Sequence, residues 1–450
     1  MKSLRADAVS TTQLVAIAIA STAPAYSIAA TLALLVGAAG LAAPWALAAG
    51  VVPMLLVTLV FREFNSVEPD CGTVFAWASR AYGYRIGWIT GWVSLMACIL
   101  VMSSLAQIAS AYALGLLGLD NVGDDSFVRG IVAMLVVGAL TVIAARDIKL
   151  TARVQVILAT VELSALLAFV GVALATAKDP ASTPHSDTDW LMAILAATFL
   201  YWGWDSAFSL NEESRAPRQS PAIAALGANL ALATVYVLVA SAAIANAGTD
   251  ALTVAGDDVF AALAGDLPGG SYTASVLSAI VLVSALASIQ TTIIPSARII
   301  FSMARSGLLP SRLAVAHPHH HSPYGATIFF AGLSMLVYVG LLSVSEELLS
   351  TAVEATAVLI AVYYASTCFA ALMLFHRALP RRRVIQRCVI PILAGTFFLA
   401  VALTALARLD VSAFVAVVIL SLGAVLAAVL PRPVTAPNRR ASAAITTGRW

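Results

Sequence analysis

The chain has 450 residues, of which 61% are hydrophobic and 11% charged, and its net charge is +2; its mean hydropathy is +0.94. Ordinary soluble domains carry roughly 25% charged residues, so a soluble globule and a disordered chain are both excluded. The near-neutral balance leaves no basic footprint for nucleic acid, and the apolar residues run on without the alternation that barrel strands need.

A membrane-crossing helix takes about 20 apolar residues. Apolar segments of that order fall at 12–38, 43–61, 86–117, 128–145, 153–177, 190–210, 222–247, 273–299, 323–344, 355–375, 389–407 and 411–430. The reading is an all-α polytopic membrane protein with twelve spans. The run from Val15 to Ala39 is longer than the apolar core of a secretion signal, so it is read as a retained first span. An even count places both termini on one side.

The basic residues test this count, because Lys and Arg gather in cytoplasmic loops. With the N-terminus in the cytoplasm, 22 of the 25 basic residues fall inside. Only Arg129, Lys178 and Arg408 fall outside. A missed span would scramble every later assignment. The outer loops carry Asp120, Asp124, Asp125, Asp257, Asp258 and Asp266 instead.

Residues 72–85, between spans 2 and 3, and residues 256–268, between spans 7 and 8, read as short re-entrant or interfacial helices. Their positions match if spans 1–5 and 6–10 are two copies of one five-span unit. An odd-numbered unit repeated in tandem must invert. The expected organisation is therefore a first repeat over 12–177, a second over 190–375, two further spans over 376–430 and a cytoplasmic tail over 431–450.

Corresponding spans of an inverted repeat carry corresponding helix breaks. Span 1 holds Ala23, Pro24, Ala25, Tyr26 and Ser27, where the proline removes a backbone donor. The hydroxyls of Ser21, Thr22 and Ser27 are placed to satisfy the freed groups. Span 6 holds Tyr201, Trp202, Gly203, Trp204 and Asp205, with glycine as the weak point. Amides at a half-helix N-terminus suit a carboxylate, and carbonyls at the opposing end suit an amine.

Three stretches then carry a family likeness. They are Val67–Trp77 with Gly87-Trp88 and Gly91-Trp92; Phe199–Asp205 with Asn211-Glu212-Glu213 and Pro217; and Arg298–Pro310. In this order and at these places, they resemble the amino acid–polyamine–organocation permeases over nearly the whole chain. The resemblance implies a LeuT-like 5+5 inverted repeat with broken helices 1 and 6, and secondary transport of amino acids or related amines. One departure stands out: many members have a Gly-Ser-Gly type break in span 1, where this chain has Ala23-Pro24-Ala25.

Two acids lie at membrane depth, Glu162 in span 5 and Asp205 in the span 6 break, and intramembrane acids are functional by default. In relatives the span 5 position can hold an ionisable group where sodium-coupled cousins bind a cation. Glu162 is thus the candidate for a coupling proton, with Asp205 sharing that role or holding a substrate amine. The plainer readings are a bundle-stabilising hydrogen bond for Glu162 and a helix cap for Asp205.

Further lining residues are expected from span 3 (Ser103, Ser104, Gln107), span 6 (Phe199), span 8 (Ser284, Ser288, Thr291) and span 10 (Tyr363, Tyr364). By resemblance Trp202 closes over substrate. Glu212 and Glu213 are placed to pair with Arg298 or Arg305 as a cytoplasmic gate. No cofactor, metal or catalytic residue is expected. Cys71, Cys98, Cys368 and Cys388 form no close pair, and His317–His321 reads as a solvated loop. The expected partners are a small amino acid or amine, protons and the lipid bilayer.

Two other transporter or channel architectures and a membrane-embedded enzyme are the rival readings. A major-facilitator chain would carry a charged loop motif after span 2 that residues 62–85 lack. A channel would be a smaller subunit. An enzyme would want clustered His, Asp or Cys at one interface.

Overall fold

A computed structural model describes residues 4–119, 125–177, 188–254, 259–264, 267–375, 383–408 and 410–430. Its elements are helices α1 (Thr11–Ser21), α2 (Pro24–Ala39), α3 (Ala43–Val67), α4 (Val74–Tyr82), α5 (Tyr84–Leu116), α6 (Ser126–Arg146), α7 (Ile148–Ala175) and α8 (Trp190–Leu200). They continue with α9 (Ser206–Ser209), α10 (Ser220–Val254), α11 (Val259–Ala264), α12 (Ser271–Arg305), α13 (Tyr324–Val344), α14 (Glu346–Phe375), α15 (Ile390–Ala407) and α16 (Val411–Val429). Among the described residues there is no strand, only an isolated backbone bridge between Val9 and Ser214.

Each apolar segment of the sequence coincides with a helix or a pair of consecutive helices. Ten helical stretches are long and apolar enough to cross a membrane among the described residues. One of them is the 57-residue run Thr11–Val67, which joins α1, α2 and α3. The shorter apolar helix α8, Trp190–Leu200, falls below the length of a full crossing. The tail 431–450, the outer residues Asp120, Asp124, Asp257, Asp258 and Asp266, and Arg377, Arg381 and Arg382 lie outside the described residues. Of the expected short helix at 256–268, α11 is described; the other expected short helix is present as α4.

Local chemistry sets the helix starts. Ser10 and Gln13 close a reciprocal capping box at α1, satisfying two of the donors that every helix start leaves open. Asp125, Asp147, Asp189 and Asp410 cap α6, α7, α8 and α16 through their side chains. Pro24 opens α2 at its first helical position, where its missing N–H is no loss.

The interior is formed around α5 and α12. The most apolar window of each is 72% buried, against 28% in α6 and α13 and 22% in α16. Those three helices display large apolar side chains such as Leu135, Leu336, Phe414 and Val425 on the outside, a surface suited to lipid and not to water. A small cluster of Ala16, Ala20, Ala159 and Ala287 joins α1, α7 and α12, because small residues let helix backbones approach closely.

Candidate functional site

Two helix interruptions meet in the middle of this bundle. α1 stops at Ser21 and α2 restarts at Pro24, with Ala23 between them in the left-handed region at φ 47°. α8 stops at Leu200 and α9 starts at Ser206, with Gly203 between them at φ 126°. A Cβ on Gly203 would lie 2.5 Å from the Ser21 carbonyl oxygen and 2.9 Å from the Thr22 nitrogen. Glycine is therefore required twice over, for its backbone angle and for the contact between the two breaks.

The polar groups freed in the first break are taken up by the protein itself. Thr22 Oγ1 donates to the Ile19 carbonyl at 2.7 Å, and Ser27 Oγ to the Thr22 carbonyl at 2.6 Å. The Ala23 amide donates to the Ala20 carbonyl at 3.2 Å, and Ser288 Oγ to the Ser21 carbonyl at 3.3 Å. On the α2 side, the Ala25 amide donates to Glu162 Oε1 at 2.9 Å. The Tyr26 amide donates to Ser284 Oγ at 3.3 Å. Glu162 is fully buried, and among the described residues no group lies within hydrogen-bond geometry of its Oε2.

Asp205 sits in the second break. Tyr363 donates its hydroxyl to Asp205 Oδ2 at 3.0 Å, and Trp202 Nε1 donates to the same Tyr363 oxygen at 2.5 Å. Such a chain of hydrogen bonds orients the carboxylate. Gly203, Trp204 and Ser206 around it are buried, whereas Asp205 and Trp202 retain accessible surface. Tyr26, Ser27, Ser104 and Gln107 also keep some surface, and the Tyr26 and Ser104 hydroxyls lie 3.3 Å apart. Asp205 stands at the N-cap position of α9, without a side-chain cap hydrogen bond.

Two expected lining residues are not brought to this group. Tyr201 is fully buried and its hydroxyl donates to the Leu47 carbonyl at 2.8 Å. Ser103 is buried with its hydroxyl turned back onto the Ile99 carbonyl of its own helix. Trp204 is buried too, stacked on Tyr364 and against Phe61. Neighbouring residues on a helical stretch point in different directions, and the sequence alone left open which faced inward.

A second cluster lies at the end of the bundle where α3 and α12 end and α4 begins. Glu213 meets Arg298 at 2.6 Å, both essentially sealed from solvent. Arg305 bridges Asp70 and Glu212, each at 2.9 Å. Burial works to raise the Glu212 carboxyl, but Arg305 and the Cys71 amide outweigh it and hold the group below its ordinary value. The backbone amides of Ala8 and Val9 donate to the Glu213 carbonyl, and the Arg215 amide to the Val9 carbonyl. The expected partners Glu212, Glu213, Arg298 and Arg305 thus come together, and Asp70 joins them, which sequence reasoning missed.

Asp70, Cys71 and Glu212 place ligand-type atoms within 4.8 Å of one another. The Arg305 guanidinium already spans the two carboxylates. Burial, then the Glu212 and Asp70 charges, push the Cys71 thiol well above its ordinary value, so it is a poor source of the thiolate that binds metal. In the histidine loop, His317 Nδ1 accepts the backbone amides of His319 and His320 at 3.3 and 3.2 Å.

Comparison with known proteins matches residues 9–430 to a family model described as amino acid permease. The methylthioribose transporter of Bacillus subtilis (strain 168) is 24% identical over 306 residues, 64% of this chain and 66% of that protein. The branched-chain amino acid permease BcaP of the same strain is 25% identical over 299 residues, 63% of this chain and 64% of that protein. The serine/threonine exchanger SteT, also from that strain, is 23% identical over 352 residues, 76% of this chain and 78% of that protein. The chain thus spans a little under two thirds of the length of the first two relatives.

Proposed function

The chain belongs to the amino acid permease family, and from that premise we propose a secondary active transporter for amino acids or related amines. It works by alternating access in the cytoplasmic membrane, with both termini cytoplasmic, and is coupled to protons. The observation that carries this reading is the meeting of two helix breaks at Ser21 and Gly203, beside two carboxyl groups that have no cation partner among the described residues. Broken helices that face each other at membrane depth form a substrate seat in many transporters.

In this reading α1 with α2 forms span 1, α3 forms span 2 and α8 with α9 forms span 6. With the remaining long helices this makes twelve spans in a LeuT-like 5+5 arrangement. The first repeat covers 12–177 and the second 190–375, with 376–430 added and 431–450 as a tail. The short helices α4 and α11 hold corresponding places in the two halves, which supports the inverted repeat. Tyr26, Gln107, Trp202 and Asp205 line the seat, and Trp202, tethered to Tyr363, closes it.

Glu162 is the proton-carrying group in this proposal. Its one free oxygen is sealed from solvent, and its other oxygen holds the start of α2. Taking up or losing a proton there changes the interaction that fixes span 1 to span 5. The Glu213–Arg298 and Asp70–Arg305–Glu212 pairs act as the cytoplasmic gate, since they tie the segment before α1 and the loop after α9 to the end of α12.

The named cargoes of the relatives run from a ribose derivative to branched-chain amino acids, so family membership alone does not select a substrate. Exchange is the second reading, favoured by the exchanger among the relatives. Purified protein in liposomes, offered labelled amino acids and amines under an inward acid gradient, tests the proposal. Concentrative uptake that collapses with a protonophore is expected. Uptake that needs an internal counter-substrate and ignores the gradient would favour exchange.

A further inference from the structure

We propose that the cargo is an organic amine without a carboxylate, held through its cationic nitrogen by Asp205. This inference rests on the transport reading for the place of the seat, and it narrows the substrate class. Its basis is the pairing of the donors and acceptors in the first break and of the Asp205 carboxylate in the second.

A carboxylate-bearing substrate needs donors, and the start of α2 is where a broken helix supplies them. This chain leaves none there. Pro24 has no N–H. The Ala25 amide is taken by Glu162 Oε1 at 2.9 Å, and the Tyr26 amide by Ser284 Oγ at 3.3 Å. The Ser27 amide lies within the helix and donates to the Ala23 carbonyl at 2.8 Å. Glu162 thus already occupies, as part of the protein, the position a substrate carboxylate would take. An incoming carboxylate would have to displace a fully buried side chain. It would also meet a second carboxyl at contact distance, which disfavours ionising both.

The acceptors tell the complementary story. The carbonyls of Ile19, Ala20, Ser21 and Thr22 are each engaged by a group of the protein. Asp205 is different. Its carboxylate accepts from the Tyr363 hydroxyl, the residue keeps some accessible surface among buried neighbours, and it makes no ion pair among the described residues. The well-buried guanidinium groups of Arg298 and Arg387 are each committed to a carboxylate, Glu213 and Glu63. The seat therefore offers an anion for a cationic nitrogen, while the start of α2 has no uncommitted amide for a carboxylate. The Trp202 ring beside it adds a face on which an alkylammonium group can rest.

Matched pairs that differ only by the carboxylate test this: putrescine with ornithine, cadaverine with lysine, and isoamylamine with leucine. Binding is read by thermal shift on the full-length protein, because a ligand of the folded state raises its apparent stability, and uptake is read in liposomes. At least one amine is expected to bind at roughly ten-fold lower concentration than its parent amino acid. Asp205→Asn should remove that binding while the unliganded melting temperature stays near wild type. Glu162→Ala, which frees the Ala25 amide, should narrow the preference within a pair. An amino acid that binds as tightly as its amine, or a panel in which no amine binds, overturns the inference. Amino acid uptake in that case leaves the transport reading standing. Amine binding without any uptake sinks the transport reading and, with it, the amine as cargo, leaving Asp205 as an amine-binding group only.

Discussion

Glu213 meets Arg298 at 2.6 Å at the basic end of the bundle, and Arg305 holds Asp70 and Glu212 at 2.9 Å each. Halfway along the bundle, Glu162 and Asp205 meet only an amide and a hydroxyl in the direct contacts described above. Acidic side chains meet an arginine in one place and, among the described residues, no cation in the other. A paired charge at a helix end is a clasp, and its loss is felt as stability. In the function proposed above, the carboxyls without a cation serve a proton or a cationic substrate instead.

That contrast is most easily broken at the clasp. Arg298→Ala leaves Glu213 buried without its cation, and removing one partner of a buried pair costs about 3–5 kcal/mol. Thermal unfolding in detergent should show the loss directly, and a melting temperature near wild type would mean that Glu213 finds water in the variant. Gly203→Ala attacks the other region through shape, not charge. A side chain there meets Ser21 backbone at 2.5 Å in a left-handed conformation, so roughly 2–4 kcal/mol is expected from overpacking and backbone strain together. Uptake should be lost along with stability, whereas intact uptake would show that the two breaks need not touch.

Tyr363→Phe separates orientation from charge. It removes the hydroxyl between Trp202 and Asp205, at a stability cost of about 1–2 kcal/mol. Substrate affinity should fall by more than stability does, because the Asp205 carboxylate loses the bond that aims it. Equal affinity in the variant would argue that Asp205 is positioned by its own backbone.

Much of this was legible in the sequence, for reasons that differ by feature. Span positions follow from long apolar runs, so they survive one-residue errors. The breaks were marked by Pro24 and Gly203, residues whose backbone chemistry is local. The pool of charged residues at this end was visible, but the pairing of Glu213 with Arg298 and of Glu212 with Arg305 was not, since partners separated by 85 and 93 positions are chosen by packing. Asp70 escaped notice because its ion-pair partner Arg305 lies 235 positions away. The contact of Glu162 with the Ala25 amide crosses 137 positions and turned a general expectation about an intramembrane acid into a specific one. Tyr201 and Ser103 show the reverse: their residue types suited the site, and their faces did not.

The smallest expected effect lies at Arg305, which is partly exposed. Because the Glu212 carboxyl is held below its ordinary value, its contribution is present above that value and fades as pH falls through the folded one. The stability difference between wild type and Glu212→Gln should therefore be constant from neutral pH to about pH 5 and shrink below about pH 4. Its size should stay near or under about 1 kcal/mol, as for other solvent-reached pairs, and added salt should reduce it. A difference that grows on acidification would contradict this assignment.

The contrast between paired and unpaired acids is tested most directly by Glu162→Gln in liposomes, with uptake measured against an imposed pH gradient. The side chain keeps an oxygen for the Ala25 amide and loses only its ability to carry a proton. Gradient-driven accumulation should disappear while substrate binding persists. Accumulation with the same dependence on the gradient as wild type would contradict the role given to Glu162.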